Sequence, residues 1–458
     1  MFQKVLVANR GEIAVRLIQT LKERGITSVA VYSQADRDAL HVKLADAAVC
    51  IGPAKASASY LNMQNIVSAA VLTGADAIHP GFGFLAENAD FADLCARAHV
   101  AFIGPRPETI RQLGDKAVAR RTVAALGVPV IPGSAELTSL GDAQAAAATL
   151  GYPVMLKAAA GGGGKGIRLI DSEATLISTF GAAQAEAQAS FGDPAMYLEK
   201  IIRPAKHIEV QVLADRHGHV WTFPERDCSL QRHSQKVLEV SPSLTMTPPQ
   251  RTQVQQLAAT IATGVGYENA GTIEFLQDRA GAVYFMEMNT RIQVEHPVSE
   301  MVTGVALLAR QIDVAAGADL GVSQALAPTG VAIECRINAE DPANGFAPAA
   351  GTLTAVRWPL GGAGVRVDRG VDAGDLISPF YDSMIAKLIA HAETAPAAWA
   401  KMARMLAELQ IHGVRTTQRM HQALVQDARV QAGTATTDYL TETWLAQWQA
   451  EGGTDDEQ

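Results

Sequence analysis

Gly271-Thr272-Ile273-Glu274-Phe275-Leu276-Gln277-Asp278-Arg279-Ala280-Gly281-Ala282-Val283-Tyr284-Phe285-Met286-Glu287-Met288-Asn289 is the stretch on which the reading of this chain turns. Two apolar-rich runs flank Ala280-Gly281, a pattern that predicts an antiparallel hairpin. A two-residue turn there sets Arg279 opposite Ala282 and, counting back, Glu274 opposite Glu287, with Cβ atoms about 5 Å apart on one face. Like charges that close destabilise a sheet unless one is protonated or a cation lies between them. Hard oxygen ligands with few protein contacts suit Mg²⁺ held against phosphate oxygens, and Asn289 offers a further contact. The bland alternative turns both glutamates to solvent, but their apolar neighbours favour a half-buried sheet and the metal reading.

Immediately downstream, Asn289-Thr290-Arg291-Ile292-Gln293-Val294-Glu295-His296-Pro297 reads as a short extended segment ending at proline, with odd-numbered residues on one face. Arg291 and Gln293 could hold a small planar oxyanion there with Glu295 as a base, because a guanidinium fork matches oxyanion geometry. Each alone could equally be a surface ion-pair residue.

Upstream, strand candidates Pro153 to Lys157 and Ile167 to Ile170 bracket Gly161-Gly162-Gly163-Gly164-Lys165-Gly166. This loop joins strand to strand, and Gly rather than Ser or Thr follows Lys165, so it is not a Walker motif. The absent side chains of Gly162, Gly163, Gly164 and Gly166 would let backbone N–H groups approach phosphates, with Lys165 adding charge. Alone, the loop could equally be a hairpin tip. Beyond Pro204, alternation in His207 to Leu213, Thr272 to Leu276 and Val283 to Glu287 predicts an antiparallel sheet.

Residues 4 to 110 alternate short β-rich runs (Lys4 to Ala8, Ser28 to Tyr32, Ala75 to Ile78, Val100 to Ile103) with amphipathic stretches, which predicts a parallel sheet covered by helices. The first turn, Ala8-Asn9-Arg10-Gly11-Glu12-Ile13, lacks the spaced glycines of a dinucleotide site. Small residues and Gly near Leu320 to Gly330 predict a boundary before a strand at Val331 to Arg336 and a mixed, β-rich last segment.

At 458 residues, two to four domains are expected. A 48% apolar, 19% charged composition is that of a globular chain, and a net charge of −9 argues against binding nucleic acid or an anionic membrane. No signal-peptide layout and no membrane-spanning apolar stretch stand out, so a cytoplasmic location is expected. Cys50, Cys95, Cys228 and Cys335 form no CxxC pair and are read as reduced core thiols.

Several blocks are specific in combination: Ala8 to Ala14, His79-Pro80-Gly81-Phe82-Gly83-Phe84-Leu85, Glu225-Arg226-Asp227-Cys228-Ser229, Glu287 through Pro297, and Glu334-Cys335-Arg336-Ile337-Asn338-Ala339-Glu340-Asp341. On these the sequence, from Lys4 to about Trp444, resembles biotin carboxylases of the ATP-grasp superfamily, in the form found as a separate subunit of bacterial acetyl-CoA carboxylase. The resemblance implies an α/β (α+β multidomain) chain of ATP-grasp fold. Its parts would be a Rossmann-like domain at 1–114, an ATP-grasp domain at 115–330 with a mobile lid at about 131–203, a β-rich carboxy-terminal domain at 331–446, and a disordered polar tail at 447–458.

By the same resemblance Lys116, Lys157, Glu199, Lys200, His207, Gln231 and Glu274 belong to the nucleotide site, with Glu274, Glu287 and Asn289 at the metals. Lys236, Arg291, Gln293, Val294 and Glu295 fall at the bicarbonate site, and Arg336 where biotin's enolate is stabilised. Implied are ATP, two Mg²⁺ (or Mn²⁺), and biotin as a carrier-bound substrate. Glu295 would deprotonate bicarbonate, which attacks the γ-phosphate to give carboxyphosphate. The chain shows no Met-Lys-Met biotinylation segment, so a biotin carboxyl carrier protein and carboxyltransferase subunits are expected as partners, together with a second copy in a homodimer. Four positions depart from the family pattern. Ser234 stands where relatives carry His, and Ala160 replaces a Gly. Gln19 and Ala363 occupy positions where dimeric relatives often have Arg and Phe. Another ATP-grasp ligase and a catalytically impaired regulatory subunit are the competing readings.

Overall fold

β-branched runs separated by amphipathic helices build the amino-terminal unit of the computed structural model, which describes residues 1–159, 167–232 and 234–452. Strands β1 (Lys4–Val7), β2 (Thr27–Ser33), β3 (Ala47–Gly52), β4 (Ala77–His79) and β5 (Ala101–Phe102) form a parallel sheet in the order β3-β2-β1-β4-β5. Helix α1 (Gly11–Glu23) buries Ile13, Leu17, Ile18 and Leu21 against it. Because α1 follows β1 directly, Asn9 to Glu12 sit at the carboxyl edge of the sheet, where parallel α/β sheets place ligand sites. The sequence reading omitted β3, an apolar run, Ala47-Ala48-Val49-Cys50-Ile51, that forms a largely exposed edge strand. It also carries Cys50, which is exposed rather than a core thiol; the other three cysteines are buried.

A small three-stranded antiparallel unit follows, β6 (Val154–Ala158), β7 (Ile167–Ile170) and β8 (Met196–Lys200), in the order β7-β6-β8. Helices Leu140–Leu150 and Glu173–Phe191 pack Ala143, Ala147, Leu176, Phe180 and Ala183 into its core.

The main sheet begins with β9 (Ala205–Ala214), flanked by the short β10 (Val220–Thr222), and continues through β11 (Arg226–Arg232), β12 (Gln235–Ser241), β13 (Asn269–Asp278) and β14 (Val283–Asn289). Its order is β14-β13-β9-β11-β12, and it then runs on through strands Val331–Asn338, Met384–Ala392 and Val365–Arg369. One sheet therefore joins strands from both sides of the boundary suggested near Leu320 to Gly330. In β9, Ile208, Val210 and Val212 pack with Val254, Ala258 and Ile261 of helix Pro248–Gly264. The alternate residues His207, Glu209 and Gln211 are buried too, on the opposite face. Burying charge costs several kcal/mol unless it is paired, on the order of 3–5 when one partner is missing, so a polar buried face requires an interior network.

Glu274 does pair with Glu287, but by two compensating departures from the expected hairpin. Asp278 N–H bonds the Ala282 carbonyl, so the turn is a three-residue loop, Arg279 to Gly281, rather than two. Gly281 adopts φ +89°, the left-handed conformation such a loop needs. This shifts the adjacent pairs by one residue (Gln277 with Val283, Phe275 with Phe285) until a bulge at Met286 restores Glu274 with Glu287 and Thr272 with Asn289.

The carboxy-terminal core gathers Ile333, Leu388, Trp399, Met402 and Leu406. Residues expected to start a disordered tail instead extend helix Leu445–Ala450, where Trp448 stacks on Trp444 at 5.7 Å. Among the described residues no helix is long and apolar enough to cross a membrane.

Candidate active site

The polar face of the main sheet converges on Lys236. Its ammonium lies 2.9 Å from Glu274 Oε1 and 2.6 Å from Glu295 Oε1, and it also contacts Glu209. Glu295 is clamped from the other side by Arg336, whose Nη2 reaches Oε2 at 2.9 Å, while Arg336 Nε donates to Glu239 at 2.6 Å. Arg226, fully buried, donates to Glu209 at 2.5 Å and to Gln211, Ser299 and Thr272 at 2.9–3.2 Å. Burial and the nearby Glu209 raise the Glu295 carboxyl, but Lys236, Arg336 and Arg226 outweigh them, so it is held below the usual range and stays a carboxylate.

Glu274, though buried, has the most protein partners of the group's carboxylates. Lys236, Asn289 Nδ2 (2.8 Å) and Gln293 Nε2 (2.9 Å) all donate to Oε1, and His207 Nε2 lies 3.1 Å from Oε2. Burial works against ionisation, yet Lys236 and His207 prevail and depress its pKa. Burial lowers His207, but Glu274 overcomes this and carries it up to about 9. Across the ladder, Glu287 pairs with Lys116 at 2.9 Å. Two opposed carboxylates beside an amide oxygen make a hard donor set that fits Mg²⁺. His207, Glu209 and Glu274 also cluster within metal-ligand reach. There, however, Glu209 is already committed to Arg226 and Lys236.

The segment after β14 is not extended as expected. It leaves the sheet at Asn289 and turns, so that Glu295 (φ −81°, ψ 11°) is the N-cap of helix His296–Thr303 and Pro297 sits in that helix's first turn. Proline is tolerated there because its missing N–H is one the helix leaves unpaired anyway. The turn still gathers the expected group: Arg291 Nη1 bonds Gln293 Oε1 at 3.0 Å and Nη2 bonds Asn289 Oδ1 at 3.2 Å.

Farther out, Lys157 pairs with Glu199 across β6 and β8. Lys200 instead donates to the Gly151 carbonyl at 2.7 Å, and Gln231 to the Cys228 carbonyl at 2.9 Å, so neither joins the Glu274 cluster. Ser234, which stands where relatives carry His, has φ +65° and lies in the tight turn between β11 and β12, where Arg232 pairs with Gln235. Gly162, Gly163, Gly164, Lys165 and Gly166, with Ala160 and His233, lie outside the described residues.

Sequence reasoning assigned no role to Glu209, Arg226, Glu239 or Glu87. The last, from the amino-terminal unit, accepts from Thr290 N–H and Arg291 Nε at 2.9 Å each. The signal for Glu209 was present: His207-Ile208-Glu209-Val210-Gln211 alternates as though one face met water, yet every residue of that stretch is buried.

An antiparallel sheet bearing opposed metal-type carboxylates, with a separate small β unit that carries a lysine–glutamate pair, is the arrangement of an ATP-grasp ligase. Comparison with protein families matches residues 1–110 to "Biotin carboxylase, N-terminal domain", 115–323 to "Carbamoyl-phosphate synthase L chain, ATP binding domain" and 334–442 to "Biotin carboxylase C-terminal domain". Biotin carboxylase 1 of Bacillus subtilis is 51% identical over 443 residues, 96% of this chain and 98% of that one. The 2-oxoglutarate carboxylase small subunit of Hydrogenobacter thermophilus is 48% identical over 444 residues, 96% and 94% of the two chains. Among solved structures, the Campylobacter jejuni biotin carboxylase in complex with β-γ-ATP superposes with a TM-score of 0.94 at 44% identity, covering 96% of this chain and 99% of that one. The Hydrogenobacter thermophilus 2-oxoglutarate carboxylase biotin carboxylase domain, a dimer with MgADP, ADP and bicarbonate, gives 0.93 at 46% identity over the whole of both chains. The chain belongs to the biotin carboxylase family.

Proposed function

We propose that the chain carboxylates biotin presented by a biotin carboxyl carrier protein, with MgATP and bicarbonate, through carboxyphosphate. The observation that carries this reading is the Glu295 carboxylate, held ionised between Lys236 and Arg336 beside Gln293 and Arg291. A buried carboxylate so placed is a general base for a small oxyanion, and the adjacent guanidinium and amide supply its donors. Glu295 removes the bicarbonate proton, and the freed oxyanion attacks the γ-phosphate, giving ADP and carboxyphosphate. Carboxyphosphate breaks down to CO₂ and phosphate; the phosphate takes the N1 proton of biotin, whose enolate, stabilised by Arg336, adds to CO₂. Lys116, Lys157, Glu199, His207, Lys200, Gln231 and the 162–166 loop are assigned to the nucleotide. Glu274, Glu287 and Asn289 would hold Mg²⁺, which supplies charge neutralisation on the phosphoryl oxygens.

We assign the reaction to the cytoplasm, as the first half-reaction of an acetyl-CoA carboxylase feeding malonyl-CoA to fatty acid synthesis, with carboxyltransferase subunits as partners. The relative from 2-oxoglutarate carboxylase supports a different acceptor with comparable identity. Reconstitution with carrier and transferase subunits, offering acetyl-CoA against 2-oxo acids, decides between them. A homodimer is proposed from the dimeric structural relative, although Gln19 and Ala363 are exposed and small or uncharged; sedimentation measures it. The central test is bicarbonate-dependent ADP release with and without free biotin, beside Glu295→Gln. Biotin-stimulated release lost in the variant is expected. Release indifferent to biotin would point to another ATP-grasp ligase, and none at all to a regulatory subunit.

A further inference from the structure

A lysine buried outside the reacting group touches the backbone of the site. Lys387 is directly opposite Arg336 in the ladder, so the two side chains leave the same face of the sheet. Arg336 takes the Glu295 carboxylate; Lys387 donates to the carbonyl of the preceding residue, Val294, at 2.9 Å. Its ammonium lies 3.0 Å from Glu12 Oε1 and 3.9 Å from Asp368 Oδ2, over the ring of Phe82 at 5.9 Å. Lys387 is 0% exposed and Glu12 4%. Among the described residues no other cation lies within ion-pair distance of Glu12. Asp368 is occupied mainly by Arg366 (2.7 Å), which also reaches Glu300 (2.6 Å) on the helix that Glu295 caps.

Two fully desolvated charges cost more than an ordinary surface pair returns, so their retention calls for a role other than stability. Here each group comes from a different unit: Glu12 from α1, Lys387 from a carboxy-terminal strand, Val294 from the turn after β14. The contact falls on the peptide joining Val294 to Glu295.

We propose that Glu12 and Lys387 are a positioning pair for the bicarbonate site. Lys387, held by Glu12, fixes the Val294–Glu295 peptide and so the direction in which Glu295 presents its carboxylate. Neither residue touches a reacting atom. The inference rests on Glu295 being the bicarbonate base.

The test compares Glu12→Gln, the double variant Glu12→Gln/Lys387→Met, and Glu295→Gln, with bicarbonate and ATP varied separately. Removing both charges together leaves no orphaned ion, so the double variant is expected to fold. Its kcat/KM for bicarbonate should fall on the order of 10- to 100-fold, as a misplacement near 1 Å costs, with the KM for ATP unchanged. Glu12→Gln should show a smaller fall in the same parameter, because Asp368 still faces Lys387, and it decides the matter if the double variant does not fold. An unchanged kcat/KM for bicarbonate in folded variants overturns the pair, as does a loss shared equally by the KM for ATP. Turnover surviving in Glu295→Gln overturns instead the base on which the pair acts.

Discussion

Arg226→Met tests whether the polar face of the sheet is a charge network or a set of separable contacts. Methionine approximates the volume of the arginine stem and removes one charge and its donors to Glu209, Gln211, Ser299 and Thr272. Breaking a buried pair by removing one partner costs about 3–5 kcal/mol, because the remaining charge is desolvated and uncompensated. Glu209 keeps Lys236, so the lower end applies: about 3 kcal/mol, roughly a hundredfold in the folded-to-unfolded ratio. The assay is urea denaturation followed by tryptophan fluorescence, repeated on Glu209→Gln and on Glu209→Gln/Arg226→Met. Neutralising both partners should recover part of the loss, giving a coupling energy above about 1 kcal/mol in the double-mutant cycle. A single-variant loss under about 1 kcal/mol, the size of a screened surface pair, would refute the reasoning. So would a double variant no more stable than the single one.

Glu274→Gln and Glu287→Gln should each abolish most Mg²⁺-dependent ATP turnover while leaving the circular dichroism spectrum unchanged; near-normal turnover in either would remove that carboxylate from the metal site. His41 and His421 are each held at about 4, chiefly because burial penalises the charged ring. Both stay neutral in the fold, whereas the unfolded chain takes up protons near pH 6.5, so the stability they contribute is present above that pH and lost as it falls toward 4. The contribution is up to about 3 kcal/mol per ring, and His421→Gln should flatten the slope between pH 6.5 and 4; an unchanged slope counts against it.

The facing of Glu274 and Glu287 was legible because strand alternation has a period of two and any error of one residue would have turned one carboxylate away. It survived only because the longer turn and the bulge at Met286 cancel. Neither is written in local composition: Asp278, whose carboxylate accepts from Ala280 N–H and Ala282 N–H at 2.9 Å each, sets the loop length. The turn at Glu295 was missed for a different reason. Arg291 to Glu295 has strand-like alternation, but its path is set by tertiary partners far away in sequence, Glu87, Arg336 and Lys387. Distant partners are also why the roles of Glu12 and Lys387 were invisible: each lies in a stretch that reads locally as helix or strand.

The way the site is divided follows from the sheet. Lys236 lies on β12, Arg336 on the strand that pairs with β12 through Leu238 with Cys335 and Glu239 with Glu334, and the two grip opposite oxygens of Glu295. Their separation is therefore set by one continuous ladder, which is stiff and joins the two matched domains directly. Lys157 and Glu199 belong to a separate three-stranded unit that shares no ladder with the main sheet. With the roles proposed above, the base and the nucleotide contacts would thus be carried by different mechanical parts. On the proposed assignment of Lys157 and Glu199 to the nucleotide, a rearrangement of the small unit would change how phosphate is held while Glu295 keeps its orientation. That separation suits a reaction in which the nucleotide must enter and leave, while the same carboxylate has to meet each new bicarbonate in an unchanged pose.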